Sequence, residues 1–373
     1  MDPHQRIAAE MSTVAEALLT TLDTSQTAAA CLPWPSDDER RTWFFTPTDH
    51  GGVSLHELGP AQQRLVMRLL AAVLSHPGYV TTSLIMNQDN LLDQVEGFRV
   101  DFDRERGRDP LLFWIRFFGT PGDRQWSWRF GGHHLSINVT VADGRVVSTT
   151  PFFMGADPAS APLLGPHLHR PLGGAEDLGR ELARSLDPGQ AAALLPVPPV
   201  DIVGSNRPFL TEGDRPLTIP EVWRGRFEGE IDRLLQRMQD VTEEKLGISE
   251  AHVDQLAFSF TPKGVAGRDL TADQREVLLA LLRTYVGRID DTLADEQLTK
   301  AEHALDDLHF LWAGSTEPGD PHYYRIQGGD LFVEYDCAQR DGNHVHTVWR
   351  DLTTDFGGDP LAEHYTNGSH RHG

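Results

Sequence analysis

The chain has 373 residues, 39% hydrophobic and 24% charged, which is ordinary for a globular protein able to bury a sizeable core. Its 33 basic and 55 acidic residues give a net charge of -22 with no cluster of Lys and Arg, which argues against nucleic acid or an anionic membrane as partner. No apolar run is long enough to cross a bilayer, the first residues lack a secretory signal pattern, and Cys31 and Cys337 stand far apart, so the expected setting is a reducing cytoplasm.

Apolar spacing predicts helices over Pro3 to Thr24, Pro60 to Leu74 and Tyr79 to Val95, with His76-Pro77-Gly78 stopping the second. The texture then changes. Leu111 to Gly119, Trp126 to Ala142 and Arg145 to Phe153 are rich in aromatic and β-branched residues and separated by the turn formers Thr120 to Asp123 and Asp143-Gly144, as in an antiparallel meander. From Gly155 to Pro220 the sequence is rich in Pro and Gly, with helices expected at Ala175 to Leu186 and Gly189 to Leu195. Pro196 to Pro220 reads as an irregular covering segment. Helices follow at Pro220 to Lys245, at Thr271 to Val286, where Thr271 and Gln274 have capping-box spacing, and at Leu293 to Asp307; a strand at His309 to Gly314 precedes the last hairpin. No internal repeat is read. Neither strand-rich region supplies a buried sheet alone, so the expected fold is α+β, one antiparallel sheet formed by the central meander and the C-terminal hairpin strands and covered by helices. One domain is expected over residues 1–373, with a helical part to about 105 and a sheet and metal-site part from about 106 to 368.

The C-terminal hairpin carries the chemistry. The runs YYRIQGGDLFVEYDC and HVHTVWRD favour strands around the turn at Asp341-Gly342-Asn343, and residues two apart share a face, so Glu334 joins Asp336 and His344 joins His346. A second cluster, Gly131-Gly132-His133-His134, lies within what reads as one strand from Trp126 to Val141. Alternation there places His134, Ser136 and Asn138 on one face together with Trp126, Trp128 and Phe130. Two histidine-bearing strands and a carboxylate pair in one sheet suit a transition metal. The expected ligands are His134, His344, His346 and Glu334, with His133, His322 and Asp336 in reserve. Asp336, Arg350 and Tyr324 are candidate catalytic groups, and Arg325, Arg350, Asn138 and Trp128 candidate substrate contacts, the arginines as forks for an acidic group. His364 and Tyr365 are placed near the site if the C-terminus folds back. There is no GxSxG elbow, Walker A motif, dinucleotide fingerprint or CxxC pair.

The segments WSWRFGGHHLSIN, TPFFMGADPA, HYYRIQGGDLFVEYD, NHVHTVWRD and DFGGDPLAEHY, in that order, resemble the bacterial domain-of-unknown-function family 3500 from about Leu58 to Tyr365. The resemblance implies that the His-His, Glu-Tyr-Asp and His-Val-His positions are shared family features; it implies no particular activity. From the residue types, two enzyme classes are expected to fit: an oxygen-activating oxidoreductase holding iron or copper and acting on a small acidic molecule, or a zinc hydrolase. A non-enzymatic protein with a buried His and carboxylate network is the alternative.

Overall fold

A computed structural model describes residues 2–102 and 104–358. His364, Tyr365 and the terminal histidines lie outside them. The main helices are α1 (Pro3–Leu19), α2 (Pro60–Val73), α3 (His76–Val95), α4 (Gly173–Ser185), α5 (Glu230–Leu246), α6 (Ala272–Val286) and α7 (Asp291–His303). The longer strands are β1 (Phe113–Phe118), β2 (Gln125–Gly132), β3 (Leu135–Ala142), β4 (Arg145–Ser148), β5 (Phe152–Ala156), β6 (His309–Gly314), β7 (His322–Gly328), β8 (Leu331–Gln339) and β9 (His344–Asp351). They form one continuous sheet in the order β1-β2-β3-β5-β9-β8-β7-β6, with β4 on β3 and two-residue strands at both edges. The fold is α+β, and these long strands pair antiparallel throughout.

Two local readings change. His76-Pro77-Gly78 opens α3 rather than merely closing α2: Ser75 caps the Gly78 amide, and proline is tolerated in a first turn because its missing N–H would have no helical acceptor there. The expected single strand from Trp126 to Val141 is a hairpin. Gly132 pairs with Leu135, His133-His134 form its two-residue turn, and His134 adopts φ 60°. The reversal changes every face assignment after it. Trp128 pairs with Val139, so Trp128 points into the helical core while Ser136 and Asn138 point the other way.

The chain is an internal duplication, contrary to the sequence reading. In each half an Asp-capped short helix contains a glutamine, Gln26 or Gln190, that donates to the carbonyl of Glu57 or Asp269 (2.8 and 2.7 Å). A second glutamine, Gln62 or Gln274, sits at N3 of α2 or α6 and donates back to Thr21 O or Ser185 O (2.8 and 2.7 Å). Val53 pairs with Ile115 as Val265 pairs with Phe310, and Arg129 pairs with Asn138 as Arg325 pairs with Glu334. Gly52 and Gly264 adopt φ +105° and +107°, and a Cβ on either would lie 2.4 or 2.2 Å from the carbonyl oxygen of Ile115 or Phe310. The halves meet where β5 pairs with β9, giving the sheet an approximate two-fold axis. Few side chains repeat, which is why the period is faint in sequence.

The two faces of the sheet are covered differently. Phe113, Trp126, Trp128, Phe152, Tyr335 and Trp349 face the main helices across one apolar core. The opposite face meets largely irregular chain, around Trp43 and Phe45 and from Ile202 to Phe258. Irregular backbone buried on a sheet needs partners for its peptide groups, and buried charged side chains supply them. Arg129 donates to the carbonyls of Glu39, Thr42 and His50. Arg350 donates to those of Gly204, Arg207 and Pro208 (3.2, 3.1 and 2.7 Å) and to Asp355 (2.6 Å). Glu334 accepts from the amides of Val203 (3.1 Å) and Gly204 (2.6 Å), from Tyr323 Oη (2.5 Å) and from Arg325 (3.3 Å).

Removing one of these groups strands the others. Arg350→Met should destabilise the fold by about 3–5 kcal/mol in denaturant unfolding, because Asp355 and three carbonyls lose a buried partner. A near-neutral result would mean that water replaces the guanidinium. His50, buried with Nε2 donating to Thr46 O at 2.9 Å, gives a pH prediction. Burial, first of all, pushes its pKa down to about 3 from 6.5. Its contribution is therefore present above pH 6.5 and is lost as pH falls towards 3, where the unfolded chain takes a proton that the folded one refuses. His50→Gln should reduce the pH slope of stability in that window by up to about 1.4 kcal/mol per pH unit.

Candidate metal centre

Three histidines converge on the irregular side of the sheet. His134 stands in the β2–β3 turn, its amide donating to Phe45 O (2.9 Å) and its carbonyl accepting from Gly155 N (2.8 Å). A Cβ on Gly155 would come within 2.8 Å of the His134 ring, so the glycine gives the imidazole its room. His344 and His346 come from β9. A bulge in β8 between Asp336 and Gln339 sets Asp336 opposite His346 and Gln339 opposite His344.

The Nε2 atoms of His134 and His344 are 2.9 Å apart and those of His134 and His346 3.3 Å. All three side chains offer ligand nitrogens within 4.8 Å of one another. Three imidazoles held at about 2.1 Å from one ion would place their nitrogens about 3.0–3.4 Å apart. The spacing is that of ligands around a cation. His134 and His346 are buried and His344 nearly so. Burial first, then the neighbouring cationic groups, drives the pKa values of His134 and His344 well below the ordinary value, so both offer neutral lone pairs.

Carboxylates stand behind two of the rings. Asp201 holds both oxygens 3.0 Å from His346 Nδ1, which fixes the tautomer with a lone pair on Nε2. Asp157 Oδ2 lies 3.9 Å from His344 Nδ1. Asp201, Asp336 and His346 form a second compact group. Burial and then the charge of Asp201 push the Asp336 pKa well up. Asp336 therefore meets the site from behind His346, not from its open side. In front of the Nε2 atoms is a cavity of about 60 Å³ lined by Phe45, Thr46, Pro47, Ile219, Val222, Trp223 and Gln339.

Several expected site residues are elsewhere. Glu334, the fourth expected ligand, is saturated by two loop amides, Tyr323 and Arg325. Arg325 is occupied by Leu256 O, Tyr323 and Glu334, and Arg350 by its loop carbonyls and Asp355, so neither is a fork for substrate. His322 points to the helical face between Trp312 and Tyr335, its Nδ1 against Asp320 O. Tyr324 shares that face and meets Tyr285 Oη and Ala175 O. Trp128 is core, and Asn138 donates to Ser136 and Pro151 O. His133 stacks on His134 with centroids 3.9 Å apart, but its Nδ1 is held by Asp89 (2.6 Å), at the cavity edge and outside the three-nitrogen cluster. The sequence reading missed Asp201, Asp157 and Asp89. Asp201 lies 145 residues from its histidine in an otherwise apolar run, and nothing local marks it.

Asp201→Asn should leave the three nitrogens in place yet weaken metal binding about 10- to 100-fold in chelator competition, since an amide oxygen orients the ring less strongly than a carboxylate. An unchanged affinity would show that Asp201 is only a packing group.

No curated protein and no solved structure matches the chain. A family model does, over residues 4–358, reaching back beyond the expected start at Leu58 to take in α1. By that match over nearly its whole length, the chain belongs to the family described as protein of unknown function (DUF3500).

Proposed function

We propose that the protein is a metal-dependent oxidoreductase whose His134, His344 and His346 hold one iron or copper ion and which acts on a small molecule with dioxygen. The observation that carries this reading is the convergence of three imidazole side chains on one point. Imidazole ligands suit iron, copper and zinc alike, so the surroundings favour the reaction class. The open side carries aromatic and aliphatic side chains, with Thr46 and Gln339 as its polar groups besides the histidines. A hydrolase would use a carboxylate there to take a proton from the attacking water, and the acids of this site lie behind the rings. The metal would supply electron transfer to dioxygen. The chain orients the ligands, through Asp201 above all, and excludes bulk water with Phe45, Pro47, Ile219, Val222 and Trp223.

With Arg325 and Arg350 engaged in the fold and no cation among the lining residues, the substrate is a small uncharged molecule rather than an acidic one. A zinc centre performing hydrolysis is the second reading, favoured by the all-nitrogen donor set that zinc shares. No helix among the described residues is long and apolar enough to cross a membrane, and Cys31 and Cys337 are free thiols, which supports a cytoplasmic place. The acidic charge supports neither nucleic acid nor an anionic membrane as partner.

Elemental analysis of untagged protein tests the reading. About one iron or copper per chain is expected, lost in His344→Ala and His346→Ala variants whose circular dichroism is unchanged. Zinc in the same place would favour hydrolysis. Protein that binds no metal on reconstitution would sink both readings.

A further inference from the structure

Helix α5 is seated on the fold by a narrow strip of its surface. Of its 17 residues only Leu235 and Gln239 are buried. Leu235 packs with Val200 and Ile219, and Gln239 Oε1 accepts from the Ile219 amide (2.8 Å). Beside that strip runs a second apolar one that stays open: Ile231, Leu234, Met238 and Val241 are 48, 48, 46 and 62% exposed. Their spacing of three, four and three residues is that of the alternating core positions of a heptad repeat, which sets all four on one line about three turns long. A surface helix normally turns such a line inward. Single exposed apolar residues need no explanation, whereas four in coiled-coil register mark a contact surface.

The bordering charges select the occupant. On its solvent side the line is flanked by the exposed Glu230, Arg237 and Glu244, and on the other side by the buried Leu235 and the half-buried Thr242. A parallel copy of the helix would set Arg237 against Thr242 and Lys245 against its twin, with no ion pair. In an antiparallel pair the solvent-side residues face one another. With the two-fold axis between Gln239 and Asp240, Met238 meets Val241 of the second copy and Arg237 meets Glu244 of the second copy, each contact occurring twice. Moving the axis to Gln236 keeps the apolar line in contact but opposes Arg237 to itself and Glu230 to Glu244, so charge favours one register. Lys245, next in the line, is paired with Asp341 of its own chain, which leaves its stem to cover Leu234 of the second copy. From this arrangement we propose that α5 is the interface of a homodimer in which two copies of the chain pair their α5 helices antiparallel. A seam this short lies near the lower limit of specific interfaces, about 1,000 Å² in total, so the dimer is a micromolar one.

The seam contains none of the histidine ligands, so it stands or falls independently of the metal reading. It does back the covering of that centre, because Ile219, which α5 holds, lines the histidine cavity. The test is sedimentation velocity of the full chain from about 1 to 200 µM, where a monomer–dimer equilibrium with Kd on the order of 10 µM is expected. Met238→Glu and Val241→Glu should each weaken it about tenfold or more, with circular dichroism unchanged because both side chains are exposed in the single chain. Arg237→Glu and Glu244→Arg should each weaken it about threefold or more by opposing like charges, and the double reversal should restore it. That restoration distinguishes the antiparallel register from any other dimer. A chain that stays monomeric at about 200 µM, a dimer untouched by Met238→Glu and Val241→Glu, or a double reversal that restores nothing overturns the inference.

Discussion

The structure depends on how one face of its sheet satisfies an irregular covering. Helices bond their own backbone and can lie on a sheet through apolar side chains alone; loops cannot, and each of their buried peptide groups needs a partner. The sheet provides it with charged side chains that elsewhere would be taken for site residues: Arg129, Arg325, Arg350 and Glu334. Their engagement with the covering chain explains why the residues with the most conspicuous chemistry in the C-terminal hairpin do not form its reactive centre. What remains free to meet a ligand on that face is the group of imidazoles at the β2–β3 turn and the start of β9.

Duplication explains where the centre sits. One ligand comes from a turn in the first half and two from a strand in the second, and they meet across the β5–β9 junction that joins the halves. The turn in the second half that corresponds to His133-His134 is Gly329-Asp330, which offers no imidazole. The scaffold is nearly symmetric and the histidine centre is not. The same division holds for the Arg129–Asn138 and Arg325–Glu334 pairs, where the arginine repeats and its cross-strand neighbour differs. The second half has a carboxylate at this point and uses it to fasten the covering chain at Val203 and Gly204.

Periodicity and turn chemistry made the α+β class, most helices and the C-terminal hairpin readable from the residues. The His-Val-His spacing marked His344 and His346 because alternation in a strand is a strong geometric rule. Alternation also singles out His134, but as part of a strand face; in the fold it projects from a turn at φ 60°, with Gly155 leaving space for it. Asp-Gly and Asn-Gly announce tight hairpins; Gly132-His133-His134-Leu135 does not, and the aromatic run on one side and the Ser-Ile-Asn run on the other imitate a continuous strand.

Composition and local backbone geometry alone make the chain acidic, mixed in secondary structure and furnished with histidines at strand spacing. Which polar residues are already spent is a matter of contacts between distant parts of the chain. Glu334 and His346 lie on the same face of adjacent strands, and no local rule separates them. The first is consumed by amides more than a hundred residues away; the second is turned toward its neighbours by Asp201, 145 residues distant. Whether a buried polar group is a fastening or a ligand depends on what the rest of the chain brings to its other side, and that is a property of long-range packing.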